Sequence, residues 1–178
     1  MRNVEREFQD AFEKYSDELF RHCVLRLSDR ERAIELTQEM FLRTWDYVCK
    51  GNEVREYRPF LYRTLHHLII DEYRKHKTQS LEAMVDVEEG ETIETLLPTD
   101  DTNTLEAAMD RFDGARALSA LATLPSPYHE TLTLRYIDGF SPKEISEMIG
   151  ESENVISVRI HRGLKKLRAM LEEKPNLL

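Results

Sequence analysis

Between Glu82 and Asp113 the chain carries eleven acidic residues and one basic residue, Arg111. Helical and strand periodicity both fade from Thr78 to about Asn103, where acidic and Thr/Ser-type residues dominate and Pro98 interrupts. Such a segment buries too little apolar surface to offset the conformational entropy of ordering it. It therefore predicts two small domains on either side of a flexible linker, not one continuous core. A short helical turn near Leu81 to Val85 is the most local order expected in the linker, and like charge keeps it extended. The same segment explains the net charge of −9: its own net of −10 leaves the flanks near +1, so each half is free to carry basic clusters.

The flanks read as helical. Hydrophobic residues make up 40% and charged residues 33%, and the six glycines and six prolines do not punctuate the chain as strand-and-turn patterns do. The fold class expected is all-α, with residues 1–77 as a three- to four-helix bundle, 78–103 as the linker and 104–178 as a second helical bundle. Cys23 and Cys49 lie far apart inside helical patterns and read as small buried thiols. The first residues contain no apolar run of the secretion type, and no stretch approaches the ~18 apolar residues of a membrane span. A cytoplasmic protein is expected. No Gly-rich phosphate loop, nucleophile elbow or metal-spaced His/Cys set is present, which argues against an enzyme and against a metal or other cofactor.

In the first half, Phe8, Phe12, Tyr15, Leu19 and Cys23 form a helical stripe from about Val4 to Leu27. Ser28 with Glu31 three residues later has the form of a capping box, which starts a second helix. Its stripe is Ala33, Leu36, Met40, Thr44 and Val48, with Gly51 as a left-handed C-cap. A third helix begins near Arg58-Pro59 and runs through Phe60, Leu61, Leu65, Leu68, Ile69 and Tyr73 to about Lys77. Its last residues, Arg74, Lys75, His76 and Lys77, exceed what compensation of the helix dipole requires.

The second half is punctuated more sharply. One helix is expected from Leu105 to Leu124, a second from Ser126-Pro127 to Asp138-Gly139, and a short third from Pro142 to Ile149 behind the capping box Ser141-Pro142-Lys143-Glu144. Gly150-Glu151-Ser152 is a turn in which glycine takes positive φ, and Ser152 caps a last helix from about Glu153 to Glu172. That helix buries Ile156, Ile160, Leu164, Leu167 and Leu171, and its opposite face carries Arg159, Arg162 and Lys166, with Lys165 and Arg168 beside them. A short helix, a glycine turn and a capped helix with a basic face together make a helix-turn-helix that fits the DNA major groove.

These residues carry a family resemblance. Ala117 to Pro125, Leu134 to Ser141, Lys143-Glu144-Ile145-Ser146 and Val158 to Arg168 resemble the region 4 domain of extracytoplasmic-function (ECF) sigma factors, which reads the −35 promoter element. Ala33 to Trp45 is similar to that family's polymerase-binding helix, and Arg58 to Arg63 with Asp71 to Lys75 resembles its −10 reading and melting helix. The resemblance covers nearly the whole chain except the linker.

The resemblance implies that Leu36, Gln38, Glu39, Leu42 and Arg43 contact the clamp of the largest catalytic subunit of core RNA polymerase, with Trp45 near the edge. Phe41 and Trp45 read as core residues. It implies that promoter DNA at −10 meets Phe60, Tyr62, Arg63, His66, His67, Arg74 and Lys75, which supply the rings and cations that opened DNA needs. The −35 contacts implied are Ser152, Asn154, Val155, Ser157, Val158, Arg159, Arg162, Lys165 and Lys166. Departures from the family pattern are Phe60 for tryptophan, His67 for asparagine, Val155 for threonine, Ser157 for lysine and Gly163 for alanine. Gly163 should cost about 1 kcal/mol of helix stability. The family also implies an anti-sigma partner that covers the faces used for polymerase and DNA. A stand-alone helix-turn-helix regulator is the other reading; it accounts for residues 126–172 and leaves the first 77 unexplained.

Overall fold

The computed structural model describes residues 4–79 and 114–172, which are helical throughout apart from short connections. The expected acidic linker from residue 80 onward and the expected helix from Leu105 as far as Asp113 lie outside the described residues, while Thr78 and Gln79, expected in the linker, continue the third helix. The helices are α1 (Val4–Leu27), α2 (Arg30–Cys49), α3 (Tyr57–Gln79), α4 (Gly114–Ala122), α5 (Ser126–Leu132), α6 (Pro142–Ile149) and α7 (Glu153–Glu172). The chain divides into two units, residues 1–89 and 90–178.

In the first unit α1, α2 and α3 each pack on the other two. Leu19 and Cys23 of α1, Ala33, Leu36 and Met40 of α2, and Leu61, Leu65 and Ile69 of α3 are all 0–1% exposed and make the centre. Full burial of a side chain such as Leu19 contributes about 2 kcal/mol. The hydroxyls of Thr37 and Thr44, both buried, donate to the carbonyls of Ala33 and Met40, so these two buried polar groups are satisfied within α2 itself. Two charged clasps join helices distant in sequence. Arg32 donates from Nε and Nη2 to the two oxygens of Glu72 at 2.7 and 2.6 Å, tying α2 to α3, and Arg58 donates to Glu18 at 2.9 Å, tying α3 to α1. Burial pushes the Cys23 thiol up to about 12 against the effect of its hydrogen bond with Thr37, so it stays protonated and inert. Cys49 corrects the expectation of two buried thiols: it is exposed, because α2 ends there and leaves the core.

The junction of α1 and α2 also corrects the sequence reading. The cap is Asp29, whose carboxylate accepts from the Arg32 amide at 3.0 Å. Ser28 instead closes α1: it has φ 55° and its amide donates to the Val24 carbonyl at 2.8 Å. Asp and Ser are comparable N-caps, and a serine spent on the left-handed turn after α1 cannot also cap α2. Gly51, with φ 85°, ends α2 as its spacing predicted.

In the second unit α7 packs on α4, α5 and α6. Leu132, Phe140, Ile145 and Ile156 are 0–1% exposed at its centre. The helix begun at Ser126 widens into a π-turn over Thr133–Ile137, closed by donation from the Asp138 amide to the Thr133 carbonyl at 3.0 Å. The Phe140 amide then bonds the Leu134 carbonyl at 2.9 Å, and the Phe140 ring is seated in the core. The position of Gly163 now has a reason. A Cβ there would lie 3.1–3.2 Å from Leu132 Cδ1 and Cγ and from Tyr128 Cβ, so the missing side chain lets α7 approach α5 closely.

Candidate nucleic-acid interface

The helix-turn-helix is built by local signals. Ser141 accepts from the Glu144 amide at 3.3 Å, and Glu144 accepts from the Ser141 amide at 2.8 Å, so both halves of the capping box form. Pro142 opens α6, and Gly150 with φ 81° closes it. The Ser146 hydroxyl donates to the Glu151 carbonyl at 2.6 Å, which pins the turn to α6. Ser152 then caps α7 by accepting from the Val155 amide at 3.3 Å. With Ile156, Ile160, Leu164 and Leu167 buried, the opposite face of α7 aligns Ser152, Val155, Arg159, Arg162 and Lys166 at helical spacing.

On that face Ser152, Asn154, Lys165 and Lys166 are exposed, and Val155, Ser157, Val158, Arg159 and Arg162 are half-buried. Lys166 lies 5.7 Å from the centre of the Tyr128 ring. Arg159 does not stand free: its Nη2 donates to Glu151 Oε1 at 2.8 Å. That pairing spans eight residues across the turn, and helical spacing alone gave no sign of it.

The first unit offers a second cationic face along α3. Arg63, His67, Arg74 and Lys75 are exposed, while Phe60 and His66 are half-buried. The His66 and His67 rings sit 5.6 Å apart. Partial desolvation, then the charges of His66 and Arg63, lower the His67 pKa, with Asp71 opposing them. Asp71 is itself exposed and lies 3.7 Å from Arg74, which tempers the positive charge of this face. The Phe60 ring packs, tilted by 39° and 5.1 Å between centres, on Tyr47 of α2, an exposed ring that sequence spacing did not connect to the site because it comes from another helix. Tyr62 is set apart from the others. It is 2% exposed, its ring meets His22 edge-on at 5.2 Å, and Arg58 lies over it at 5.4 Å. It is a core residue with no surface to offer a base.

A third face lies on α2. Leu42 is 68% exposed, and Ile34, Gln38 and Trp45 share its side of the helix at spacings of four, four and three residues. Arg43 is exposed and donates to half-buried Glu39 at 2.6 Å. The Trp45 ring packs on Phe8 at 5.0 Å yet remains 37% exposed, whereas Phe41 is buried. Leu36 is 1% exposed and belongs to the core, so the expectation that it contacts a partner gives way to packing. Ile34, which the sequence reading passed over, takes its place on the exposed apolar stripe.

A helix-turn-helix unit following a helical unit with its own cationic face defines a two-module DNA-binding protein. The sigma-70 region 2 family matches residues 11–79, and the sigma-70 region 4 family matches residues 115–167. The chain belongs to the sigma-70 family, among its ECF sigma factors. It is 29% identical to ECF RNA polymerase sigma factor SigW of Bacillus subtilis over 93% of this chain and 89% of that one. It is 28% identical to ECF RNA polymerase sigma factor SigL of Mycobacterium tuberculosis over 91% of this chain and 87% of that one. In fold it matches the sigma factor RpoE of Bartonella quintana, solved with the anti-sigma factor NepR, with a TM-score of 0.69 and 16% identity over 95% of this chain and 99% of that one. It also matches CnrH, solved with the cytosolic domain of CnrY, with a TM-score of 0.64 and 21% identity over 94% and 88%.

Proposed function

We infer that the protein is a promoter-directing sigma factor, which binds core RNA polymerase and sets where transcription starts. The observation that carries this reading is the succession of sigma-70 region 2 and region 4 in one chain. A stand-alone helix-turn-helix regulator has no use for the first of them. The protein is an initiation factor and not itself a catalyst, and it works in the cytoplasm beside the polymerase.

The proposed division of labour follows the three faces. Gln38, Glu39, Leu42 and Arg43 on α2, joined by Ile34, dock on the polymerase clamp; a half-apolar face rimmed by charge suits a reversible protein contact. Phe60, Arg63, His66, His67, Arg74 and Lys75 hold the −10 element as it opens, rings stacking on unpaired bases and cations on the backbone. Ser152, Asn154, Val155, Ser157, Val158, Arg159, Arg162, Lys165 and Lys166 meet the −35 duplex. Val155 suits a thymine methyl, and Arg159 suits a guanine edge. An anti-sigma protein is the further partner proposed, in line with the complex in which RpoE was solved.

The test is transcription by purified core polymerase, with and without the protein, on a pool of random upstream sequences. Start sites that need the protein, with enriched elements near −35 and −10, are the expected result. Sequence-selective duplex binding with neither core binding nor new start sites would instead favour the stand-alone regulator.

A further inference from the structure

Glu151 stands where a carboxylate is costly to a DNA reader. The face of α7 aligned above carries Arg159, Arg162 and Lys166, and a negative group paired with the first of them repels the phosphates the cations attract. As an ion pair Glu151–Arg159 contributes little to stability, since its side chains are 41% and 25% exposed. Yet the turn is built to hold Glu151 in place. Gly150 supplies the left-handed step, the Ser146 hydroxyl binds the Glu151 carbonyl at 2.6 Å, and Ser152 caps the helix immediately after. From that anchored backbone the carboxylate reaches across the first turns of α7 to Arg159 Nη2 at 2.8 Å.

A guanidinium is a planar fork with five donors. One edge taken by a carboxylate leaves another for a base, and the carboxylate also makes the arginine a poorer partner for phosphate. We propose that Glu151 is a specificity-determining positioning residue: it fixes the Arg159 guanidinium so that its remaining donors meet a base edge in the major groove instead of the phosphate backbone. The inference rests on the reading of α7 as the −35 reader. It assigns a role to a residue of the turn that the sequence treated as a connector.

The test uses full-length protein assembled with core polymerase on a promoter pool randomised around −35, comparing wild type, E151Q, E151D and R159A. E151Q removes the charge; E151D keeps it and shortens the reach. Both are expected to flatten the preference at the same single base pair that R159A flattens, by roughly tenfold, while E151Q raises affinity for non-specific duplex. Thermal unfolding of each variant confirms that the second unit is folded. A retained preference with uniformly tighter binding would make Glu151 a mere competitor for Arg159 and overturn the proposal, as would no change in either quantity. Failure of the wild-type holoenzyme to enrich any −35 element is a separate outcome; it removes the −35 reading itself and this inference with it.

Discussion

The two units carry the cations proposed to meet DNA in different ways. In the second unit the face lies on one helix, and the signals that set it are local: the Ser141–Glu144 box, Gly150, and Ser152 capping α7. In the first unit the face along α3 is completed by Tyr47 of α2 and held in place by clasps between residues forty apart, Arg32–Glu72 and Arg58–Glu18. The proposed recognition helix is thus specified almost from its own sequence, whereas the face proposed for opened DNA is assembled from a whole bundle. The difference implies that the first unit is the more vulnerable to single changes at its helix contacts.

The largest effect expected is from E72A. It leaves Arg32 facing α3 without its two-pronged partner, and with Arg32 30% exposed the loss is about 2 kcal/mol. Calorimetry should show the transition of the first unit shifted by roughly 10 °C and that of the second unmoved. An unmoved first transition would mean the clasp does not hold the bundle. L42D adds a charge at a side chain 68% exposed, so stability should hold while core polymerase binding weakens about 30-fold, read by titration of labelled protein into core. G163V is the counterpart in the second unit. Its added atoms meet Leu132 and Tyr128, and about 1–2 kcal/mol is lost from that transition alone.

Smaller effects sharpen the comparison within the first unit. D29A removes the cap of α2 and should cost about 1 kcal/mol by denaturant unfolding, with S28A near neutral; the reverse order would restore Ser28 as the cap. The smallest concerns His67. Its folded pKa is lowered, so below the ordinary histidine value the unfolded chain binds the proton more readily than the folded one. Stability from this group is therefore full above that value and is lost as pH falls through it. H67N should remove that part of the slope and leave stability at pH 8 unchanged.

What was legible in the sequence was what neighbours in the chain decide. The span of α1 from Val4 to Leu27, the α2 stripe from Ala33 to Val48, and the capped turn at Gly150–Ser152 follow from spacing and cap chemistry. What stayed hidden depends on other elements or on a choice between equals. Ser28 and Asp29 are both good caps, and only the turn after α1 decides between them. Leu36 and Tyr62 sit beside exposed residues of the same helices, and the packing of the bundle turns them inward. The Glu151–Arg159 pair and the Tyr47–Phe60 ring contact join residues that no helical period relates, and the closeness of α7 to α5 gives Gly163 a purpose that helix propensity alone could not.

Two separate faces of one chain are proposed to read two separate promoter elements. The most direct measurement maps start-site preferences of the holoenzyme on random promoters for R63A/R74A and for R159A. The account predicts that R63A/R74A changes usage only through the −10 element and that R159A alters preference only near −35. Both variants altering the same element, or both leaving the two elements untouched while merely weakening core binding, would contradict it.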